Sequence, residues 1–297
     1  MKRQRKGSVL CYACENLVSV NSKKCVHCGA NYPGMGGYAR NFRRLGSNFG
    51  FTKITVCACI GLYLLSLLLT PVFIHLEIPV EEQGVGLLSP HPASLFFLGA
   101  TGSIPVFEVG RWWTVLSAGW LHGDLLHITF NLLWIRYLAS RVANAYGVLR
   151  LNIIYTLSII SGGVLTSLVG YFLPALPLAL QGAPVAVGAS GGIFGLFGAL
   201  VSYGQRMKKF QAGQQALSYA TVLFILGFIS GNIDNWGHLG GFLGGYVFTQ
   251  MPWLDAGQPQ RILDGVVAII CLGLTALSVL ASILHSLFFV LTLINTT

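Results

Sequence analysis

The chain has 297 residues, of which 54% are hydrophobic and 9% charged, with a formal net charge of +9 and a mean hydropathy of +0.69. Soluble domains carry roughly 25% charged residues, so this composition excludes a soluble globular enzyme and implies a polytopic membrane protein. The basic residues cluster towards one end of the chain, which fits membrane topology and contact with anionic lipid better than nucleic-acid binding, and no nucleic-acid partner is expected.

Residues 1–30 form a polar segment containing Cys11-Tyr12-Ala13-Cys14 and Cys25-Val26-His27-Cys28. Two CxxC pairs on short turns supply four thiolates at tetrahedral zinc spacing, the pattern of a four-cysteine zinc ribbon. A rubredoxin-like iron site would use the same four ligands, whereas two disulfides are disfavoured in a reducing cytoplasm. A unit of about 25 residues cannot build its own core, so a structural Zn2+ would supply its folding energy. A site closed by four Cys is structural rather than catalytic, and its basic flanks suit a protein partner or lipid headgroups, although by charge alone they would also suit nucleic acid. Residues 31–50, rich in Gly, Asn and Arg, read as a linker. This polar stretch precedes the first apolar run, so no cleavable signal peptide is expected.

Crossing a hydrocarbon core of about 30 Å takes roughly 20 helical residues. The apolar runs predict seven spans: Thr52 to Thr70, Leu121 to Ala143, Leu149 to Leu173, Ser190 to Tyr203, Leu217 to Ser230, Trp236 to Gln250, and Ile262 to about Val290. The fourth to sixth are short, as expected where a helix starts below the surface and its polar end lines a shielded cavity. The seventh is too long for one untilted crossing. Ten of the 18 Lys and Arg lie between Lys2 and Lys53, which predicts a cytoplasmic N-terminus. Threading outward and back places Arg136, Arg141, Arg150, Arg206, Lys208, Lys209 and Arg261 in or beside cytoplasmic connections. Glu77, Glu81, Glu82, Glu108 and Asp234 fall outside, with Arg111 as the exception.

The second span opens Trp120-Leu121-His122-Gly123-Asp124-Leu125-Leu126-His127-Ile128-Thr129-Phe130-Asn131. His127 and Asn131 share one helix face, one turn apart. His122 lies further out, in a supporting position near the mouth of a site. The fourth span begins Gly188-Ala189-Ser190-Gly191-Gly192-Ile193-Phe194 after a loop over residues 174–188, so Ser190 should start a helix whose N-H groups and positive end face any nearby oxyanion. The sixth span carries Gly237-His238 with Gly241 and Gly245 following at four-residue steps, and Gly191 and Gly195 repeat that step on the fourth. Small residues at this spacing let helix backbones touch, which would bring His238 to Ser190.

Each polar residue taken singly fits an interhelical hydrogen bond that holds a bundle together. Together, Ser190, His238, His127 and Asn131 supply a nucleophile, a base and two side-chain donors, the parts needed for acyl transfer within the membrane.

The set His122, His127-x-x-x-Asn131, Gly188-x-Ser190-Gly191 and Gly237-His238, spread over the second, fourth and sixth spans, resembles the rhomboid family of intramembrane serine proteases. The resemblance covers roughly residues 52–251. It implies an all-α, six-helix bundle, a catalytic dyad of Ser190 and His238 without an essential Asp, and an oxyanion hole from His127, Asn131 and the Ser190 N-H. His122, Gly188, Gly191 and Gly237 would support the site, and Phe194 would stack on His238 where the family commonly has Tyr. No cofactor is implied for catalysis. The substrates would be other transmembrane proteins, and the chain would sit in the cell membrane among its lipids, with its active site opening to the outer face. The seventh span resembles the extra C-terminal helix of some rhomboids. In place of the family's first-loop Trp-Arg pair, alignment on His122 puts Trp113 and Thr114.

The resulting organisation is a zinc-ribbon-like segment (1–30), a linker (31–50), a six-span core (51–251), and a seventh helix with the C-terminus (252–297). Gly188-x-Ser190-x-Gly192 also satisfies the nucleophile elbow of α/β-hydrolases, but the chain lacks their alternation of strands and helices. On this reading Asp234 is a solvated loop residue. No H-E-x-x-H metalloprotease motif is present, and Asp234, Asp255 and Asp264 sit at span ends, unlike a buried aspartyl pair. The rival is a non-proteolytic rhomboid-like protein that binds transmembrane segments. For the N-terminal segment, the joint Cys11→Ser, Cys14→Ser variant should lose about one zinc per chain in elemental analysis, and retention of the metal would remove the zinc assignment.

Overall fold

A computed structural model describes residues 4–11, 16–27, 29, 31–37, 48–78, 86–177, 180–230, 233–256, 258 and 260–296. The N-terminal segment folds as an antiparallel ribbon of β1 (Ser8–Leu10) and β2 (Leu17–Ser19), with Val9 opposite Val18. A second antiparallel bridge joins Lys24 to Asn31. Val9, Cys11, Val18, Val20 and Cys25 are buried together, with Met35 packed against them. Cys11 directly follows β1 and Cys25 directly follows the Lys24 bridge, while Cys14 and Cys28 fall outside the described residues.

The remainder is helical: α1 (Asn48–His75), α2 (Pro92–Leu98), α3 (Thr114–Ser117), α4 (Leu125–Tyr146), α5 (Val148–Phe172), α6 (Ser190–Arg206), α7 (Phe210–Ser230), α8 (Asn235–Phe248) and α9 (Ile262–Thr296). Four of these are long and apolar enough to cross a membrane: α1, α5, α7 and α9. This is an all-α integral membrane architecture. α4 is interrupted by His127, Asn131, Arg136 and Arg141, and α6 and α8 have only 17 and 14 residues. Their shortness follows from their position, because neighbouring helices rather than lipid surround much of their length. α9 runs unbroken for 35 residues, about 50 Å at the α-helical rise.

Local signals set the helix starts. Asp124 caps α4 by accepting the His127 N-H at 2.8 Å, and Asp234 caps α8 by accepting the Gly237 N-H at 2.9 Å. Gly147, at φ +85°, turns the chain directly from α4 into α5. The stretch between α1 and α4 has no sequence periodicity, yet it folds into α2, a π-type turn at Ile104–Glu108, α3, and a 3-10 turn at Ala118–Trp120.

The core is the contact of α5, α6 and α8, where glycines bring backbones together. A Cβ on Gly241 would strike the Gly191 carbonyl, one on Gly245 the Gly195 carbonyl, and one on Gly198 the Phe242 carbonyl. α5 joins the same contact, with Gly162 against the Gly237 carbonyl. α9 is bound to this core by Arg150 on α5, whose Nε pairs with Asp264 Oδ2 at 2.9 Å while Nη1 donates to the Asp255 and Gln258 carbonyls. Arg150, expected in or beside a cytoplasmic connection, is completely buried there, with the charge compensation that burial demands.

A Gly245→Val variant should lose about 3 kcal/mol or more, because the added bulk meets backbone rather than a movable side chain. Gly273→Val on the open face of α9, where nothing lies within 4 Å of an added Cβ, should unfold at nearly the wild-type temperature. Thermal unfolding in detergent checks both.

Candidate active site

Ser190 is the first residue of α6, as the loop over residues 174–188 predicts, and it is half-buried. Phe194, one turn later on the same face, stacks on the His238 ring with centroids 4.1 Å apart and planes within 12°. The α6–α8 glycine contact therefore carries His238 to the serine end of α6. His238 Nδ1 has no hydrogen-bond partner among the described residues, so its ring is held by the aromatic face and by burial rather than by a carboxylate.

His127 approaches from α4. Its Nδ1 accepts the Gly123 N-H at 3.4 Å, which places the ring's own proton on Nε2. Nε2 points into the site: a Cβ built on Gly188 would lie 2.7 Å from it and 3.5 Å from Ser190 Oγ. Gly188 has φ +138°, so both conformation and space require glycine here. Asn131 is buried one turn below, with Nδ2 donating to the His127 carbonyl at 3.0 Å; the amide's second N-H is available for another acceptor. His122 differs from expectation, being wholly buried behind the site, edge-on to His127 at 5.2 Å, rather than near an open mouth.

The loop before Ser190 is strapped down on two sides. Thr101 and Ala186 exchange backbone hydrogen bonds of 2.9 and 2.6 Å, and Gly188 N-H donates to the Ala118 carbonyl at 2.9 Å. On the other side the Thr166 hydroxyl accepts the Ala183 N-H at 3.1 Å and donates to Asp234 Oδ1 at 2.8 Å. Trp236 Nε1 donates to the Leu180 carbonyl at 2.8 Å. Asp234 is thus not a solvated loop residue. It caps the His238 helix and ties it, through Thr166, to the serine loop. An Asp three residues before the glycine whose N-H it accepts is the sequence signal that marks such a cap.

Arg111, the exception to the charge pattern, is fully buried outside the spanning helices. Its Nη1 donates to the Phe96 carbonyl at 2.9 Å, and Nη2 to the Ser282 carbonyl at 3.3 Å on α9. Burial lowers its pKa to about 10, leaving it charged at neutral pH. Trp113 Nε1 donates to Ser282 Oγ at 3.1 Å, and Thr114 donates to the Arg111 carbonyl at 2.8 Å. The guanidinium that anchors the first loop thus comes from Arg111, while Thr114 closes the local turn.

Residues 109–253 match the Rhomboid domain. The chain is 32% identical over 172 residues to RHOMBOID-like protein 5 of Arabidopsis thaliana, covering 57% of this chain and 52% of that one. It is 31% identical over 184 residues to Rhomboid protease GluP of Bacillus subtilis (strain 168), covering 59% of this chain and 34% of that one. It is 29% identical over 164 residues to Rhomboid-like protease 3 of Toxoplasma gondii, covering 52% and 57% respectively. The chain spans about half or less of the length of most of the curated relatives it matches. These matches support the rhomboid family and an integral membrane location.

Replacing Asp234 by Ala should cost about 1–3 kcal/mol by removing the helix cap and orphaning Thr166. Asp234→Asn, which can still cap, should recover most of the loss. Equal unfolding temperatures for wild type and Asp234→Ala would return the residue to a solvated role.

Proposed function

We propose that the chain is a rhomboid-type intramembrane serine endopeptidase that cleaves peptide bonds in or near transmembrane segments of other membrane proteins. The observation that carries this reading is the meeting of three helices at Ser190: the Phe194–His238 stack from α8, the His127 Nε2 from α4, and the glycine that leaves room between His127 and Ser190. Similarity to proteins named as rhomboid proteases adds to it.

In this mechanism His238 takes the Ser190 proton as Oγ attacks the substrate carbonyl carbon, and the carbonyl oxygen becomes an oxyanion. His127 Nε2-H, the free Asn131 amide N-H and the Ser190 backbone N-H at the start of α6 stabilise that charge. Collapse breaks the C-N bond, His238 gives its proton to the leaving amine, and an acyl-enzyme ester remains. Water, deprotonated by the same imidazole, hydrolyses the ester and restores the Ser190 hydroxyl. A two-residue assignment needs another means of orienting the imidazole in place of an acid, and the parallel stack on Phe194 serves that purpose. His122 supports His127 by packing, and Gly191 and Gly237 support the helix contact.

The proposed topology has seven spans, with the N-terminus cytoplasmic and the site opening to the outer face of the cell membrane, where water enters near the serine loop. For the N-terminal segment we propose a structural Zn2+ held by Cys11, Cys14, Cys25 and Cys28, and a protein partner. The joint burial of Cys11 and Cys25 suits such a site. Among the described residues no group of three or more metal-ligating side chains occurs, two of these four thiols lying outside them. The metal would supply cross-linking alone, since four thiolates leave no open coordination position.

A fluorophosphonate probe should label the wild-type protein covalently, and labelling should vanish in Ser190→Ala and fall by at least about 100-fold in His238→Ala. Absence of Ser190-dependent labelling, together with no cleavage of model transmembrane substrates, would instead favour a protein that binds transmembrane segments without cutting them.

A further inference from the structure

At the end of the bundle away from Ser190, α4, α6 and α7 line a half-open cavity of about 320 Å3 that the proposed reaction does not use. Arg141 and Lys209 line it, together with Tyr137, Tyr203, Tyr219 and Gln215, and no acidic residue lines it. Both cations are held against tyrosine faces. The Arg141 guanidinium lies 3.6 Å from the Tyr137 ring centroid, and Lys209 Nζ lies 5.6 Å from that of Tyr203. Arg141 Nη1 also donates to the Tyr137 carbonyl at 3.0 Å. Such contacts fix the orientation of the charges without neutralising them.

Carboxylates at this end of the bundle are engaged elsewhere. Asp264 pairs with Arg150, and Asp255 with Arg206 at 3.4 Å. Two oriented cations around a concavity therefore present positive potential with tyrosine and amide side chains at their sides, the donor set that recognises a phosphate oxyanion. The upper limit of the cavity is an aromatic cluster, with Trp134 5.2 Å from Phe197 and 5.5 Å from Tyr219. Beyond it the same faces of α4 and α7 turn apolar, with Leu133 59% exposed and Leu223 half-buried. Charge below and hydrocarbon-compatible surface above is the polarity profile of a lipid at the membrane interface. α7, which forms one wall, is itself long and apolar enough to cross the membrane.

We propose that this cavity binds the headgroup of an anionic phospholipid, with the phosphate between Arg141 and Lys209 and an acyl chain along Leu133 and Leu223. Native mass spectrometry of the full chain, exchanged from mixed phosphatidylglycerol and phosphatidylcholine, tests it. The wild type should retain a single phosphatidylglycerol in preference to phosphatidylcholine. The joint Arg141→Gln, Lys209→Gln variant should lower that preference about 30-fold, the effect expected of two interfacial cations. Ala212→Glu, at an exposed lining position, should repel the headgroup with both cations still in place. Lys208→Gln, next in sequence but outside the lining, should leave the preference unchanged. An unaltered preference in the first two variants, or an equal loss in Lys208→Gln, overturns the site. Displacement of the lipid by inorganic phosphate alone would overturn the lipid assignment and identify a soluble phosphate site.

Discussion

Backbone contact between helices is the constraint on which the rest of this structure depends. In lipid, apolar side chains gain little by leaving one hydrocarbon environment for another, so association relies on close van der Waals packing and on satisfied polar groups. α6 and α8 reach such contact only because Gly195, Gly198, Gly241 and Gly245 present no Cβ to the opposite carbonyls. The same contact decides where the functional groups sit. With α6 and α8 pressed together, Phe194 and His238 have little choice but to stack, and the serine end of α6 faces the imidazole. Of the site's helices, α4 and α6 are less apolar than the long helices around them, which provide the shielding they need.

Polar groups at this depth must find partners inside the protein, and here those partners double as positioning devices. Asp234 satisfies an end of α8 and simultaneously receives Thr166, which holds the serine loop through Ala183. Thr101 and Ala186 bind the first loop to the same segment. The serine loop is therefore fixed by ordinary hydrogen-bond satisfaction, and the position of Ser190 follows from obligations the chain would face even without chemistry to perform.

Much of this was legible from local pattern. The start of α6 at Ser190 follows from the loop-forming residues before it, and the shared face of His127 and Asn131 and the glycine steps on α6 and α8 follow from helical spacing. Those signals act within a turn or two of the chain. The folded stretch between α1 and α4 was not legible, because it is held by distant partners: Thr101 by Ala186, and Arg111 and Trp113 by Ser282. Arg111 did stand out as the exception to the charge pattern, but nothing in the sequence named its burial or the carbonyls that compensate it. Arg150 gave no such warning, since a basic residue between helices looks like ordinary surface until Asp264 arrives from far along the chain.

The link from Arg111 and Trp113 to Ser282 has a further consequence for the order in which the molecule is made. Ser286 adds a bond to the Phe97 carbonyl at 3.2 Å, so both ends of the first loop lean on the last helix. Until α9 has been synthesised and inserted, a guanidinium and an indole N-H in that loop lack their final acceptors. The wall beside the serine loop, although encoded early, is thus among the last parts to set. Those acceptors come from the C-terminal segment, whereas the glycine contacts among α5, α6 and α8 involve none of it.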